Sequence, residues 1–245
     1  MNKIYILLIL LILSCSKPVE KPNLLFILVD DLGWTDVSYN GSDFYETQNI
    51  DRLSLNSMLF YNAYASSSVC SPTRAAIMTG KHPARVNITD WIPGLEEQPH
   101  YNNKNKPLIG PQDRNELPLS EITIAEVLKK NGYKTFYSGK WHLGSEGHYP
   151  EDQGFDINVG GFEKGSPMGG YYTPYKNPKL EDGPEGEYLT DRLTQETIDF
   201  IDSRDESKPF AAFLAFYNVH TPIQENKEFY DYYIEKLKGY DDIEP

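Results

Sequence analysis

The hydrophobic pattern changes period several times along the chain, and each change marks an element. Leu24 to Val29, in NLLFILVDDLGW, is an unbroken apolar run that ends in two acids and a glycine. That predicts a parallel strand buried on both faces. PFAAFLAFYNVHTP (209–222) reads the same way, with His220 beyond its carboxyl end, and YKTFYSGKWHLG (133–144) reads as a strand followed by a loop. Between these runs the spacing turns helical. Residues 47–58 place Ile50, Leu53 and Met58 roughly on one face behind Thr47 as a cap. Residues 120–131 put Ile124, Val127 and Leu128 in a stripe between a Ser120 cap and a Gly132 stop. Residues 188–202 carry Leu189, Leu193, Ile198 and Ile201 as apolar positions, and 225–238 form a last helix.

Strands alternating with helices imply an α/β fold, a mainly parallel sheet with helices on both faces. Ligands collect at the carboxyl ends of such strands. Asp30, Asp31, Lys140, His142 and His220 all follow predicted strands. Residues 91–118 and 144–187 are long, aperiodic and rich in Gly, Pro, Asn and Tyr, as functional or mobile loops are.

The first fifteen residues, MNKIYILLILLILSC, change the picture of where the protein works. Lys3 precedes an apolar run from Ile4 to Leu13, too short for a bilayer span and of the length of a signal-peptide core. The run stops at Ile12-Leu13-Ser14-Cys15, which resembles a bacterial lipobox with Cys15 as the lipidated residue; an ordinary signal peptide cut nearby is the alternative. Both export the protein, and the first makes it a lipoprotein in the periplasm or on the cell surface, touching the membrane through its lipid anchor only. The chain then divides into a signal segment (1–15), a polar tether (16–22) and a domain (23–245).

The length, 245 residues, suits one large domain or two small ones. A net charge of −13 argues against nucleic acid as a partner. It leaves room for a small anionic substrate, because a metal ion and a few local cations can dominate one site. There are two cysteines. If Cys15 carries lipid, Cys70 is a lone thiol in an oxidising compartment, either buried and inert or chemically employed. In VCSPTRAAIMTGK (69–81), Ser71 suits an N-cap, Pro72 the first helical position and Gly80 the position after the last turn. Cys70 then stands just before a helix N-terminus, where negative charge is favoured, and Arg74 in the first turn can reach back to it. An anion-binding corner with a nucleophile and a buried thiol in a tight turn both satisfy this stretch.

The wider pattern separates them. Cys70-Ser71-Pro72-Thr73-Arg74 with Thr79-Gly80, the paired aspartates of NLLFILVDDLGWTDVS (23–38), the Gly-Lys-Trp-His-Leu-Gly of 139–144 and the His-Thr-Pro of YNVHTPIQ (217–224) occur in this order. In these four motifs, over some 200 residues, the chain resembles type I (formylglycine-dependent) sulfatases of the alkaline-phosphatase-like fold. The resemblance implies that a formylglycine-generating or sulfatase-maturing enzyme oxidises Cys70 to an aldehyde. Its hydrate attacks sulfur, displaces the alcohol, and collapses to expel sulfate. Asp30, Asp31 and the modified Cys70 are implied as ligands of a divalent ion, Ca²⁺ ahead of Mg²⁺. Arg74 would bind and acidify the nucleophilic hydroxyl, and Lys140 would neutralise the sulfate. His142 would take the diol proton, and His220 would lie by the bridging oxygen and protonate the leaving alcohol. The implied substrate is a sulfated carbohydrate. His82, His100 and His148 read as structural. Trp91 and the tyrosines of GGYYTPYKNP (169–178) fit both stacking on a sugar and packing within a loop.

The resemblance also implies a second pair of metal ligands, a second sulfate-binding lysine and a C-terminal subdomain. None with strand context follows His220, and Asp241-Asp242 lies in a polar tail. Residues 23–245 are therefore expected to be the N-terminal part of a sulfatase catalytic domain, C-terminally truncated, marginally stable and poorly active alone. Two alternatives are a formylglycine hydrolase of phosphonate monoesters or phosphodiesters, and an inactive lipid-anchored carbohydrate-binding protein.

Overall fold

The structure is a computed structural model in which residues 20–93 and 113–240 are described. The signal segment with Cys15, most of the tether, His100 and Asp241-Asp242 lie outside the described residues. In chain order the elements are β1 (Leu24–Leu28), α1 (Gln48–Ser54), α2 (Cys70–Thr79), α3 (Pro83–Val86), α4 (Ile124–Lys130), β2 (Lys134–Gly139), β3 (Ile157–Val159), α5 (Leu189–Asp202), β4 (Phe210–Ala215) and α6 (Tyr230–Leu237). The four strands form one sheet in the order β1-β4-β2-β3, every pair parallel. Leu28 and Gly139 both stand opposite Ala215, so the carboxyl ends of the three longer strands finish level.

The register sorts side chains onto two faces. Phe26, Phe213 and Tyr137 share one row, and Ile77 and Met78 of α2 pack over it. On the other face Phe136 stacks on Phe200 of α5 at 4.4 Å, and Phe210 meets the same ring edge-on at 5.9 Å. The expected α/β architecture, with helices on both faces of a parallel sheet, is what the chain adopts.

Several local expectations are corrected. β4 is buried throughout, as its composition predicts, but β1 is not: it is an edge strand with β4 on one side, and Leu25 and Ile27 keep 50% and 52% of their surface. β3 is so short that no periodicity betrays it. The cap of α4 is Thr123, not Ser120. Thr123 Oγ1 accepts the Glu126 N–H at 3.2 Å and the Glu126 carboxylate accepts the Thr123 N–H at 2.7 Å, a reciprocal pair that satisfies two open donors. α2 starts at Cys70 behind a Val69 cap, so Cys70 is its first residue rather than the one before it. α5 buries Leu189, Leu193, Thr197 and Phe200, which turns Ile198 outward. α1 ends at Ser54, leaving Ile50, Leu53 and Met58 exposed, and the last helix begins only at Tyr230.

Candidate active site

The site forms where the level strand ends meet the start of α2. β2 comes very close to β4 there. Gly139 has φ +103, and a Cβ on it would lie 2.0 Å from the Ala215 oxygen. The next residue, Lys140, donates its N–H to that same carbonyl at 2.8 Å. On the other side of β4, Asp30 donates its N–H to the Asn218 carbonyl at 2.7 Å, and Val219 donates back to the Asp30 carbonyl. Asp30, Lys140 and the 218–220 turn are therefore placed by an extension of the sheet's own ladder.

Behind the site lies a buried ionic group. The Arg74 guanidinium donates to the Asp30 carboxylate and to the Lys140 carbonyl, and Lys140 Nζ lies 2.8 Å from Asp30 Oδ2. Lys140 is fully enclosed and Arg74 and Asp30 nearly so. Buried charges persist only when paired, and here two cations share one carboxylate. Burial works against the Asp30 charge, yet Arg74 and Lys140 outweigh it and hold the carboxyl below its ordinary range. Burial and the neighbouring Arg74 push Lys140 down against the pull of Asp30. The Tyr137 hydroxyl also donates to the Lys140 carbonyl, and burial pushes that phenol up to about 12.

In front of this group lies the Cys70 thiol, free of any disulfide among the described residues. Cys70 Sγ is 3.3 Å from His142 Nδ1. The opposite ring nitrogen, Nε2, bonds the Ile92 carbonyl. His142 sits at φ +58, and Gly165 lies so close beneath its ring that a Cβ there would be 2.4 Å from Cε1. Burial and the nearby Lys140 push His142 down to about 4, so it is neutral near pH 7. Cys70, His142, Asp31, His220, Trp91 and Lys164 are among the residues lining a cleft of about 930 Å³. His220 Nδ1–H donates to the Thr221 carbonyl at 2.7 Å, and its Nε2 lies 4.0 Å from Asp31 Oδ2. The Tyr171 hydroxyl donates to the His220 carbonyl at 2.9 Å.

The structure thus brings Cys70, His142, Asp31 and His220 to the cleft, and Asp30, Arg74 and Lys140 into the charged group behind it. Arg74 and Lys140 are engaged with Asp30 rather than turned into the cleft. Asp30 and Asp31 are hard oxygen donors of the kind Ca²⁺ or Mg²⁺ takes. Among the described residues no third His, Cys, Asp or Glu joins them closely enough to complete a metal-holding group, so these two would be part of a larger ligand shell. Of the loop tyrosines, Tyr171 and Tyr175 are buried in loop packing. Sequence reasoning missed Ile92, Gly165 and Asn218, which act through backbone groups or through an absent side chain and so leave no chemical signature.

The comparisons with known proteins agree with one another. Residues 22–242 match the family model described as Sulfatase. Human N-acetylgalactosamine-6-sulfatase is 31% identical over 238 residues, covering 89% of this chain and 43% of that protein. Human arylsulfatase G is 36% identical over 170 residues, 69% of this chain and 29% of that one. Among solved structures, Ps i-CgsB in complex with k-i-k-neocarrahexaose superposes with a TM-score of 0.66 at 28% identity, covering 92% of this chain and 50% of that one. A protein solved with its substrate D-glucosamine-2-N,6-O-disulfate gives 0.67 at 25%, covering 92% and 39%. The chain therefore spans half or less of the length of these relatives. No helix among the described residues is long and apolar enough to cross a membrane.

Proposed function

Because the chain belongs to the sulfatase family, we propose that it carries the nucleophile-bearing half of a sulfuric ester hydrolase acting on sulfated carbohydrates. The observation that carries this reading is the 3.3 Å approach of Cys70 Sγ to a neutral His142 at the floor of an open cleft, with a buried cationic group directly behind. Position 70 is also the first residue of α2, where free backbone N–H groups favour an anion.

Converted to formylglycine, position 70 would supply a hydrated aldehyde as the nucleophile. Asp30 and Asp31 would hold a divalent ion, Ca²⁺ in preference to Mg²⁺, as part of a larger ligand shell that the converted residue 70 would join, and the ion would add positive charge to the site. The chain's own residues do the remaining work. His142 Nδ1 accepts a proton from the group at position 70. His220 lines the cleft with Nδ1–H tied to the Thr221 carbonyl and Nε2 4.0 Å from Asp31 Oδ2; as the doubly protonated imidazolium it delivers the Nε2 proton to the departing alcohol and returns to the neutral ring with Nδ1–H kept. Arg74 and Lys140 leave Asp30 with more positive than negative charge around it, which favours an anionic sulfate next to it. The sugar assignment rests on relatives whose names state a sulfated sugar, N-acetylgalactosamine-6-sulfatase and the complex with D-glucosamine-2-N,6-O-disulfate. Export through residues 1–15 and lipidation at Cys15 complete the reading; lipid labelling that survives Cys15→Ala would remove the anchor from it.

The test is parallel turnover of an aryl sulfate, an aryl phosphate and an aryl phosphonate, with mass analysis of position 70. Sulfate turnover that disappears in Cys70→Ala and falls with chelator supports the proposal. Turnover of phosphate or phosphonate alone, or sulfate turnover that survives Cys70→Ala, overturns it.

A further inference from the structure

Ser71 is fully buried beside the nucleophile position, yet none of the roles above uses it. Ser71 Oγ accepts the Ile92 backbone N–H at 3.0 Å. The carbonyl of the same Ile92 meets His142 Nε2. A carbonyl oxygen can only accept, so the proton on the His142 ring must sit on Nε2. Nδ1 is then left as a bare lone pair, 3.3 Å from Cys70 Sγ. The alternative tautomer would place two acceptors, Nε2 and the carbonyl, face to face in a buried space and turn an N–H donor toward position 70. Ile92 belongs to a loop rather than to a regular element, and it is itself buried. Its attachment to the first turn of α2 runs through Ser71. A helix residue one place after the nucleophile thus sets the far side of the histidine that serves the nucleophile.

We propose that Ser71 is a positioning residue: through the backbone of Ile92 it fixes the tautomer and orientation of His142, so that Nδ1 accepts from the group at position 70. The proposal rests on the reading above that position 70 is the nucleophile. Its structural part, however, is measurable in protein whose Cys70 is unmodified and which turns over nothing. Outer-shell hydrogen bonds of this kind select histidine tautomers in many sites.

The experiment is nitrogen NMR of the protein with ¹⁵N-labelled histidine, for the wild type, Ser71→Ala and Ser71→Thr. The wild type is expected to show His142 protonated on Nε2 and bare on Nδ1. Ser71→Ala should give a mixture of tautomers or an averaged signal, while Ser71→Thr, which keeps the acceptor oxygen, should restore the wild-type pattern. In enzyme shown by mass analysis to be equally converted at position 70, Ser71→Ala should lower kcat roughly tenfold with KM unchanged. A wild-type His142 protonated on Nδ1, or a Ser71→Ala spectrum identical to wild type, overturns the proposal. If neither variant folds, hydrogen exchange of the Ile92 amide in the wild type decides: slow exchange supports the Ser71 anchor and fast exchange overturns it. If the spectra behave as expected but the wild type turns over no sulfate ester, the functional reading fails while the Ser71 assignment stands.

Discussion

The two edges of the sheet are built in opposite ways. The β3 edge is three residues long, and polar contacts surround it. Asn158 donates to Glu151 at 2.6 Å and to the Gly161 carbonyl at 2.8 Å, and Asp156 just before the strand pairs with Lys129 at 2.9 Å and Lys134 at 3.6 Å. Short, charged edges of this kind resist pairing with other chains. The β1 edge has five apolar residues, LLFIL, and among the described residues nothing covers its open side. Leu53, Leu55, Met58, Phe60 and Tyr64, later in the chain, are also exposed. One edge is finished by its own residues; the other is an apolar surface that ends, two residues past Leu28, in a buried carboxylate of the site. The lesson is that an apolar strand specifies its pairing register without specifying what covers it.

Substitutions can break this contrast. Phe213→Ala empties a buried place in β4, and the expected loss is about 3–5 kcal/mol in denaturant unfolding. Phe26→Ala, in the same row but on the exposed strand, is expected to cost about 1 kcal/mol; equal losses would mean that the β1 edge is covered in solution. Two residues past the same exposed strand, Asp30→Asn leaves Arg74 and Lys140 buried without a counter-charge, and a loss of about 3 kcal/mol is expected. The β3 edge is sharpened by pH. Burial opposes the Asp156 charge, but the Thr135 N–H and the two lysines outweigh it and lower its pKa. The folded state therefore gains stability from Asp156 above its unfolded pKa of about 3.9 and loses it as pH falls through the lower folded value. Asp156→Asn should flatten that part of the stability–pH curve. The smallest effect is on Ile27→Lys, with a change in unfolding free energy within about 0.5 kcal/mol but less self-association by sedimentation.

How much of this was legible in the sequence depends on whether a residue acts through its own chemistry. The strands of 24–29 and 210–215 announce themselves by continuous apolar runs, and that of 134–139 only as a short stretch between a helix and a loop; Asp30, Lys140 and His142 stand out by chemical type after predicted strands, and Cys70 by its place just before a predicted helix. Burial was less legible. The same apolar pattern that makes β4 a core strand makes β1 an edge, because strand order depends on pairings far apart in the chain. Ser120 and Thr123 are both cap-type residues, and only Glu126, three residues after Thr123, marks which of them forms the reciprocal pair. The engagement of Lys140 with Asp30 instead of the cleft had no local signal, since it arises from three segments meeting. Ile92 and Gly165 leave no signal either, because one acts through its backbone and the other through the side chain it lacks.

The strand order has one more consequence, which concerns time. β4 is made last of the four strands and is inserted between β1 and β2, and its first residue reaches back 187 positions to bond Asn23. Asp30 and Lys140 hang from opposite sides of that wedge, so neither the ionic group nor the thiol–imidazole pair in front of it has a frame until residues 210–215 arrive. Contacts closed over so long a stretch of chain form slowly. A growing chain that has passed Cys70, Lys140 and His142 already holds most of the chemistry of the site and none of its geometry.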